Sequence, residues 1–258
     1  MPVVRSTQEA SASRRTRLHV SGPPGSGKTT SMMTLPRPIG IVSAPGEKGH
    51  DAIVEDPEIH SFYFQAESGG MNSMKIVTEI EKTLLDLIAG KYGKIASLVF
   101  EGIHKMEQYL LDAVTAGAYF GGGDYDNWKC TPRARQWLRA LIDRLCLNTI
   151  PVVAVTSWAE YEAERRAVAG EDSSKIPSHY YPAMMGKNAK EILGEFAITA
   201  FQTKRKEDGK DEYLWQLKPQ GEVRGCRVIL PLAQAQKLPT FCKATYADLM
   251  RVLEEVTK

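Results

Sequence analysis

Cysteine is scarce: Cys130, Cys146, Cys226 and Cys242 stand far apart, with no C-x-x-C pair. Zinc clusters usually draw on such close ligand pairs, and four scattered thiols make no disulfide framework. A reducing cytoplasm is the expected compartment. Long hydrophobic runs are missing too, none approaching the roughly 20 residues that cross a bilayer as a helix. Charge of one sign is also lacking, with a formal net charge of +2. No global field draws the chain to nucleic acid or a membrane, so any such binding needs a local patch. Acidic residues are sparse at the start, where Arg5, Arg14 and Arg15 alternate with Ser and Thr. Without an amphipathic period, residues 1–16 are expected to be a disordered basic arm and not a targeting helix.

The rest has the makings of a packed domain. Of 258 residues, 43% are hydrophobic and 25% charged, which suits a single α/β domain over residues 17–258. Short apolar runs at 17–21, 39–43, 61–65, 95–100 and 150–156 predict strands, the central ones parallel and buried. Between them, helical spacing predicts helices over 29–35, 71–89, 104–116 and 132–147. Glu160–Arg166 predicts a charged helix. Segments 195–203 and 212–218 around Asp208-Gly209 predict a β-hairpin, and 243–258 a terminal helix. Strands alternating with helices point to a three-layer, mostly parallel α/β fold.

Between the first strand and helix lies Gly22-Pro23-Pro24-Gly25-Ser26-Gly27-Lys28-Thr29, which fits G-x-x-x-x-G-K-[ST] at every defined position. Glycines let this loop curl until successive N–H groups point at phosphates, and the helix brings its positive end to the same anion. Lys28 is expected to bridge the β- and γ-phosphates, and the Thr29 hydroxyl to ligate Mg²⁺, with Thr30 completing the stretch. A nucleoside triphosphate, ATP with Mg²⁺, is the expected ligand. A carboxylate at the end of a neighbouring strand usually completes the metal site, and Glu101, after Ile95–Phe100, is the candidate. Thr156 and Ser157, at a later strand end, are placed to sense the γ-phosphate.

GPPGSGKTT, the Ile39–Glu47 segment, Leu98–Glu101 and Val152–Ser157 follow one another in an order that resembles phage-encoded RecA-like ATP-binding proteins. Those recombinase-core proteins act with single-strand annealing and single-strand-binding functions. Pro182–Lys187 resembles the family's Gly-Lys segment, and Arg224-Gly225-Cys226-Arg227 its basic stretch. The resemblance covers roughly residues 17 to 235, and the P-loop is its specific part. It implies a RecA-like P-loop NTPase core ending in a β-hairpin, with ATP bound between subunits of a homo-oligomer, filament or ring. It also implies a catalytic glutamate just after the second strand, making Glu47 the first choice ahead of Asp51 and Glu55. A basic finger from a neighbouring subunit is implied as well, with Lys218, Arg224 and Arg227 matching and Arg227 preferred. Two departures bear on hydrolysis: Glu101-Gly102 stands where Asp-Ser is usual, and Trp158 near where a polar sensor is common.

Two stretches suit single-stranded DNA. Tyr119, Phe120, Tyr125 and Trp128 surround Gly121-Gly122-Gly123, followed by Arg133, Arg135 and Arg139. The stretch from Arg165-Arg166 to Lys187 holds His179, Tyr180 and Tyr181. Asp124, Asp126, Glu162, Glu164, Glu171 and Asp172 count against both. Two other readings stay open: a P-loop kinase for a small molecule, with Arg165-Arg166 as its lid pair, and a nucleotide-dependent assembly switch without hydrolysis.

Overall fold

A computed structural model of the chain describes residues 15–47, 49, 56–65, 70–116, 127–161, 180–183, 193–223 and 225–258. The strands are β1 (Thr16–Gly22), β2 (Ile39–Ser43), β3 (Ile59–Tyr63), β4 (Ser97–Glu101), β5 (Val152–Tyr161), β6 (Tyr180–Pro182), β7 (Ile198–Glu207), β8 (Lys210–Gln216), β9 (Arg227–Val228) and β10 (Phe241–Lys243). The helices are α1 (Lys28–Met32), α2 (Gly70–Ile88), α3 (Ile103–Thr115), α4 (Asn127–Leu147), α5 (Leu232–Lys237) and α6 (Tyr246–Thr257).

The sheet runs β10-β8-β7-β1-β5-β4-β2-β3, with β6 on β5 and β9 on β7. From β7 through β3 every neighbouring pair is parallel. β2 and β4 are buried along their whole length, as strands covered by helices on both faces must be. On one face α2, α3 and α4 bury Ile80, Leu84, Leu110, Leu138 and Leu145 against Phe100 and Val155. On the other, α1, the turn after it and α6 bury Met32, Leu35, Leu249 and Val252 against Leu18, Ile41 and Trp215. The result is the expected three-layer α/β core: the sheet is mostly parallel and a hairpin follows late in the chain.

That hairpin turns more tightly than predicted, its strands running to Glu207 and on from Lys210. Asp208 and Gly209 both take positive φ (50° and 77°), the conformation a two-residue turn needs to match the twist of its strands. β7 is buried over its first five residues and mostly exposed afterwards, because the hairpin projects beyond the sheet.

Three other local expectations differ. α4 begins at Asn127 and carries Pro132 inside it. One lost N–H costs less than the burial gained by Cys130, Ala134 and Leu138 along one face. β5 continues to Tyr161, so Glu160 is in a strand, paired with Tyr181, where a helix was expected. α1 ends at Met32, well before Pro36.

Arg17, predicted only as a strand residue, is a buried clamp. Its guanidinium donates to the carbonyls of Cys146 (2.7 Å), Asn148 (3.0 Å) and Ile150 (3.1 Å). It thereby ties β1 to the carbonyl-rich end of α4, where a cation is favoured.

Candidate active site

Four parallel strands end side by side. Gly22 at the end of β1 sits opposite Trp158 of β5, and Ser43 at the end of β2 sits opposite Glu101 of β4. In open α/β sheets this carboxyl edge is where ligands bind. The P-loop spans it from β1 to α1.

Gly27 caps α1 in the left-handed region (φ 83°), and a Cβ there would lie 2.6 Å from the ring of Tyr213 on β8. Only glycine fits both demands. The Lys28 ammonium donates to the carbonyls of Gly22 and Pro23, both at 2.9 Å. Burial pushes the Lys28 pKa down, while Glu47 and Glu101 push it up. Ser26 is buried, and its hydroxyl has no hydrogen-bond partner, an orphan facing into the loop's own turn.

Glu101 is 2% exposed, and its Oε2 accepts from Ser43 Oγ at 2.9 Å. A Cβ on Gly49 would touch both the Thr29 hydroxyl and the Glu101 carboxylate, so these two groups meet at one point. Both offer hard oxygen ligands, the donor chemistry that an Mg²⁺ ion would take. The start of α1 supplies N–H groups without intrahelical partners, and Lys28 supplies the positive charge a triphosphate needs.

Glu47 packs beside Gly102, itself a left-handed helix cap (φ 82°) where a Cβ would lie 2.6 Å from Glu47 Cγ. This packing gives glycine a reason at a position where the family resemblance led us to expect serine. Trp158 donates a side-chain hydrogen bond to the Glu47 carboxylate, and His104 Nε2 stands 3.5 Å from Glu47 Oε1. Burial raises the Glu47 pKa, Glu101 adds to the rise, and Lys28, Lys105 and the Trp158 bond oppose it. A raised carboxyl pKa suits a base that must take a proton from water near neutral pH. His104 Nδ1 accepts from the Trp158 backbone N–H at 3.3 Å, so the neutral ring carries its proton on Nε2, facing Glu47. Burial first, then the charges of Lys105 and Lys28, hold the His104 pKa at about 3.

The other predicted residues lie as follows. Thr156 Oγ1 accepts from Gly102 N at 3.3 Å, tying β5 to the start of α3. Ser157 Oγ bonds to His19 Nε2 at 3.1 Å, and both residues are buried. Arg227 donates to the carbonyls of Leu193 (2.7 Å) and Gly194 (3.0 Å), at the end of β7 opposite to the P-loop. Lys218 donates to the Gln236 carbonyl at 3.2 Å. Arg224, Asp51 and Glu55 lie outside the described residues, as do residues 119–126, 165–179 and 184–187 of the two predicted DNA-facing stretches. Arg133 and Arg139 are exposed on α4.

Sequence reasoning missed the supports of the loop. Gln202, fully buried in β7, donates from Nε2 to the Ser26 carbonyl (3.0 Å). Its Oε1 accepts from Ser31 Oγ (2.7 Å) and from the indole of Trp215 (2.8 Å). The signal was a glutamine interrupting the apolar run Ile198–Phe201. For His104 no signal existed, since it reads as one more helix residue.

No family model and no curated protein matches the chain. Solved structures resemble it at low identity. The assembled ATPase EscN from the enteropathogenic E. coli type III secretion system is 14% identical, with a TM-score of 0.45 over 73% of this chain and 43% of that one. EscN in complex with its central stalk EscO is 12% identical, with a TM-score of 0.46 over 74% and 42%. The flagellar accessory protein FlaH from Methanocaldococcus jannaschii is 7% identical, with a TM-score of 0.38 over 82% and 84%. This chain spans less than half the length of the EscN chains it matches.

Proposed function

We propose that the chain is a P-loop ATPase that works as a homo-oligomer and uses its ATP state to control binding of single-stranded DNA in phage recombination or annealing. One observation carries the ATPase part. Lys28 and Thr29, Glu47, and Glu101 come from three separate stretches of sequence and converge at one strand edge.

The roles follow from position. Lys28 exchanges two loop carbonyls for phosphate oxygens. Thr29 and Glu101 would hold Mg²⁺, Glu101 kept in place by Ser43. Bound there, Mg²⁺ would neutralise charge on the phosphate oxygens. Glu47 orients water and takes its proton, with Trp158 fixing the carboxylate and the neutral His104 ring beside it. The glutamate in place of aspartate at position 101 is thus accommodated by a hydroxyl partner. Support for single-stranded DNA comes from the aromatic and basic stretches of the sequence, and a single-strand-binding protein is the matching partner.

The test is ATP turnover with and without single-stranded DNA, on wild type and Lys28→Ala. Turnover stimulated by DNA and abolished by the substitution is expected. Phosphoryl transfer to a nucleoside, with no response to DNA, would sink the reading in favour of a kinase. Arg227 reaches a neighbour's γ-phosphate only by leaving its three carbonyls, those of Leu193, Gly194 and Phe196. Mixing Arg227→Ala with Lys28→Ala subunits restores activity if it donates in trans, and failure at every ratio removes it from that role.

A further inference from the structure

Lys105 is a cation in an unfavourable place. It stands in the first turn of α3, with its backbone N–H donating to the Gly102 carbonyl at 2.9 Å. That end of a helix is the positive one, and α3 has no acid in its first turn to offset the added charge. The side chain is nevertheless held. It is partly buried, and its ammonium sits 4.6 Å from the centroid of the Trp158 ring. A cation within about 6 Å of a ring centroid is attracted by the ring's quadrupole, and indole attracts it best.

The ring that Lys105 touches is fixed from other directions as well. β5 sets Trp158 opposite Gly22, where the P-loop begins. The Trp158 backbone N–H donates to His104 Nδ1 at 3.3 Å, and the His104 ring lies 4.7 Å from the indole, tilted by 35°. His104 and Lys105 are consecutive in α3, so the start of one helix holds the indole through a neutral contact and a charged one. The side-chain hydrogen bond of Trp158 goes to the Glu47 carboxylate.

Two effects join Lys105 to Glu47 through this ring. A cation over the face fixes the plane of the indole, and with it the direction of its N–H. It also draws electron density from the ring, which makes that N–H a stronger donor, as polar contacts in a chain strengthen one another. Both effects act on where the carboxylate points. A carboxylate that must meet one water in one orientation loses rate when its support is loosened, even if nothing that binds nucleotide has moved.

We infer that Lys105 is a positioning residue for the proposed hydrolysis: it holds the Trp158 indole on Glu47 and does not itself touch the nucleotide. The inference rests on the proposed role of Glu47 as the group that takes the proton from water.

Steady-state turnover of ATP with Mg²⁺, paired with calorimetric titration of inorganic triphosphate into the full chain, tests it. Lys105→Met should lower kcat by about tenfold while KM and triphosphate affinity stay within about twofold of wild type. Lys105→Arg should bring kcat back to within about threefold of wild type, because a guanidinium also stacks on an indole. Trp158→Phe keeps a ring but loses the N–H, so adding Lys105→Met to it should lower kcat by less than about threefold more. A further loss larger than that means that Lys105 acts by another route, and overturns the inference. So does an unchanged kcat in Lys105→Met, or no recovery with arginine. A fall in triphosphate affinity that matches the fall in kcat puts the ammonium on phosphate, and overturns it too. Lys105→Gln supplies the same reading if the methionine variant folds poorly. Glu47→Gln separates this failure from that of the base. If it turns over ATP as fast as wild type, both readings fall; if it is inactive while Lys105→Met matches wild type, only this one does.

Discussion

Toward β5 and β4, the groups facing the P-loop are charged or titratable: Glu47, Glu101 and His104. Toward β7 and β8 they are neutral, an amide, an indole and a phenol from Gln202, Trp215 and Tyr213. The charged flank gains its force from burial, which strengthens each field and shifts the pKa of Glu47 and of His104. The neutral flank gains its force from pairing, since the Gln202 amide and the Trp215 indole have partners that cannot be removed cheaply. Chemistry therefore belongs to the first flank, and loop shape to the second.

The largest expected effect tests the first half of that contrast. Glu47→Gln keeps the volume and removes the base, so turnover should fall roughly 10²- to 10⁴-fold. Nucleotide affinity should change little, since Glu47 is not part of the phosphate cradle. Steady-state kinetics with a separate binding titration checks this. Unchanged turnover would move the base elsewhere and leave Glu47 a buried structural acid.

Next in size is Gln202→Leu, which tests the second half. It leaves the Trp215 indole N–H and the Ser26 carbonyl without their partner, and removes one acceptor of Ser31. Buried groups stripped of a partner cost about 1–3 kcal/mol each, so a total loss of about 3 kcal/mol in chemical denaturation is expected. Affinity for inorganic triphosphate should fall as well, because Gln202 fixes the loop at Ser26. A variant as stable as wild type would mean that the neutral flank does not hold the loop.

The two flanks also differ in how well the sequence disclosed them. The P-loop is contiguous, so its residues carry their own register and could be named from spacing. Glu101 and Glu47 follow apolar strands whose ends can be read from where the apolar run stops. The parallel order of the sheet followed from alternation of strands and helices. Gln202 and Tyr213, by contrast, act on residues 176 and 186 positions away in the chain (202 − 26 and 213 − 27), and no local pattern encodes that approach. Pro132 and Glu160 misled for a related reason. Proline at 132 reads as a helix start and Glu160 as helix, whereas tertiary packing carries the first helix back to Asn127 and strand pairing claims Glu160.

The smallest effect separates histidines on and off the charged flank. His19, in β1, is held at about 3 by burial, and His104 at about 3 by burial together with Lys105 and Lys28. In each case the folded pKa is depressed below the ordinary 6.5, so the unfolded chain binds the proton first. The stability this gives is present above pH 6.5 and is lost as pH falls toward 3. From pH 7 to pH 5 the loss should be about 2 kcal/mol for each histidine. The raised pKa of Glu47 works in the opposite sense, its contribution growing as pH falls, so the slope is best read as a difference between variants. Denaturation of His19→Gln and His104→Gln at both pH values should each recover about half of the fall. Only His104→Gln should also lower turnover, because only that ring faces Glu47. Equal effects of the two substitutions on turnover would erase the distinction between the flank that does chemistry and the core that supports it.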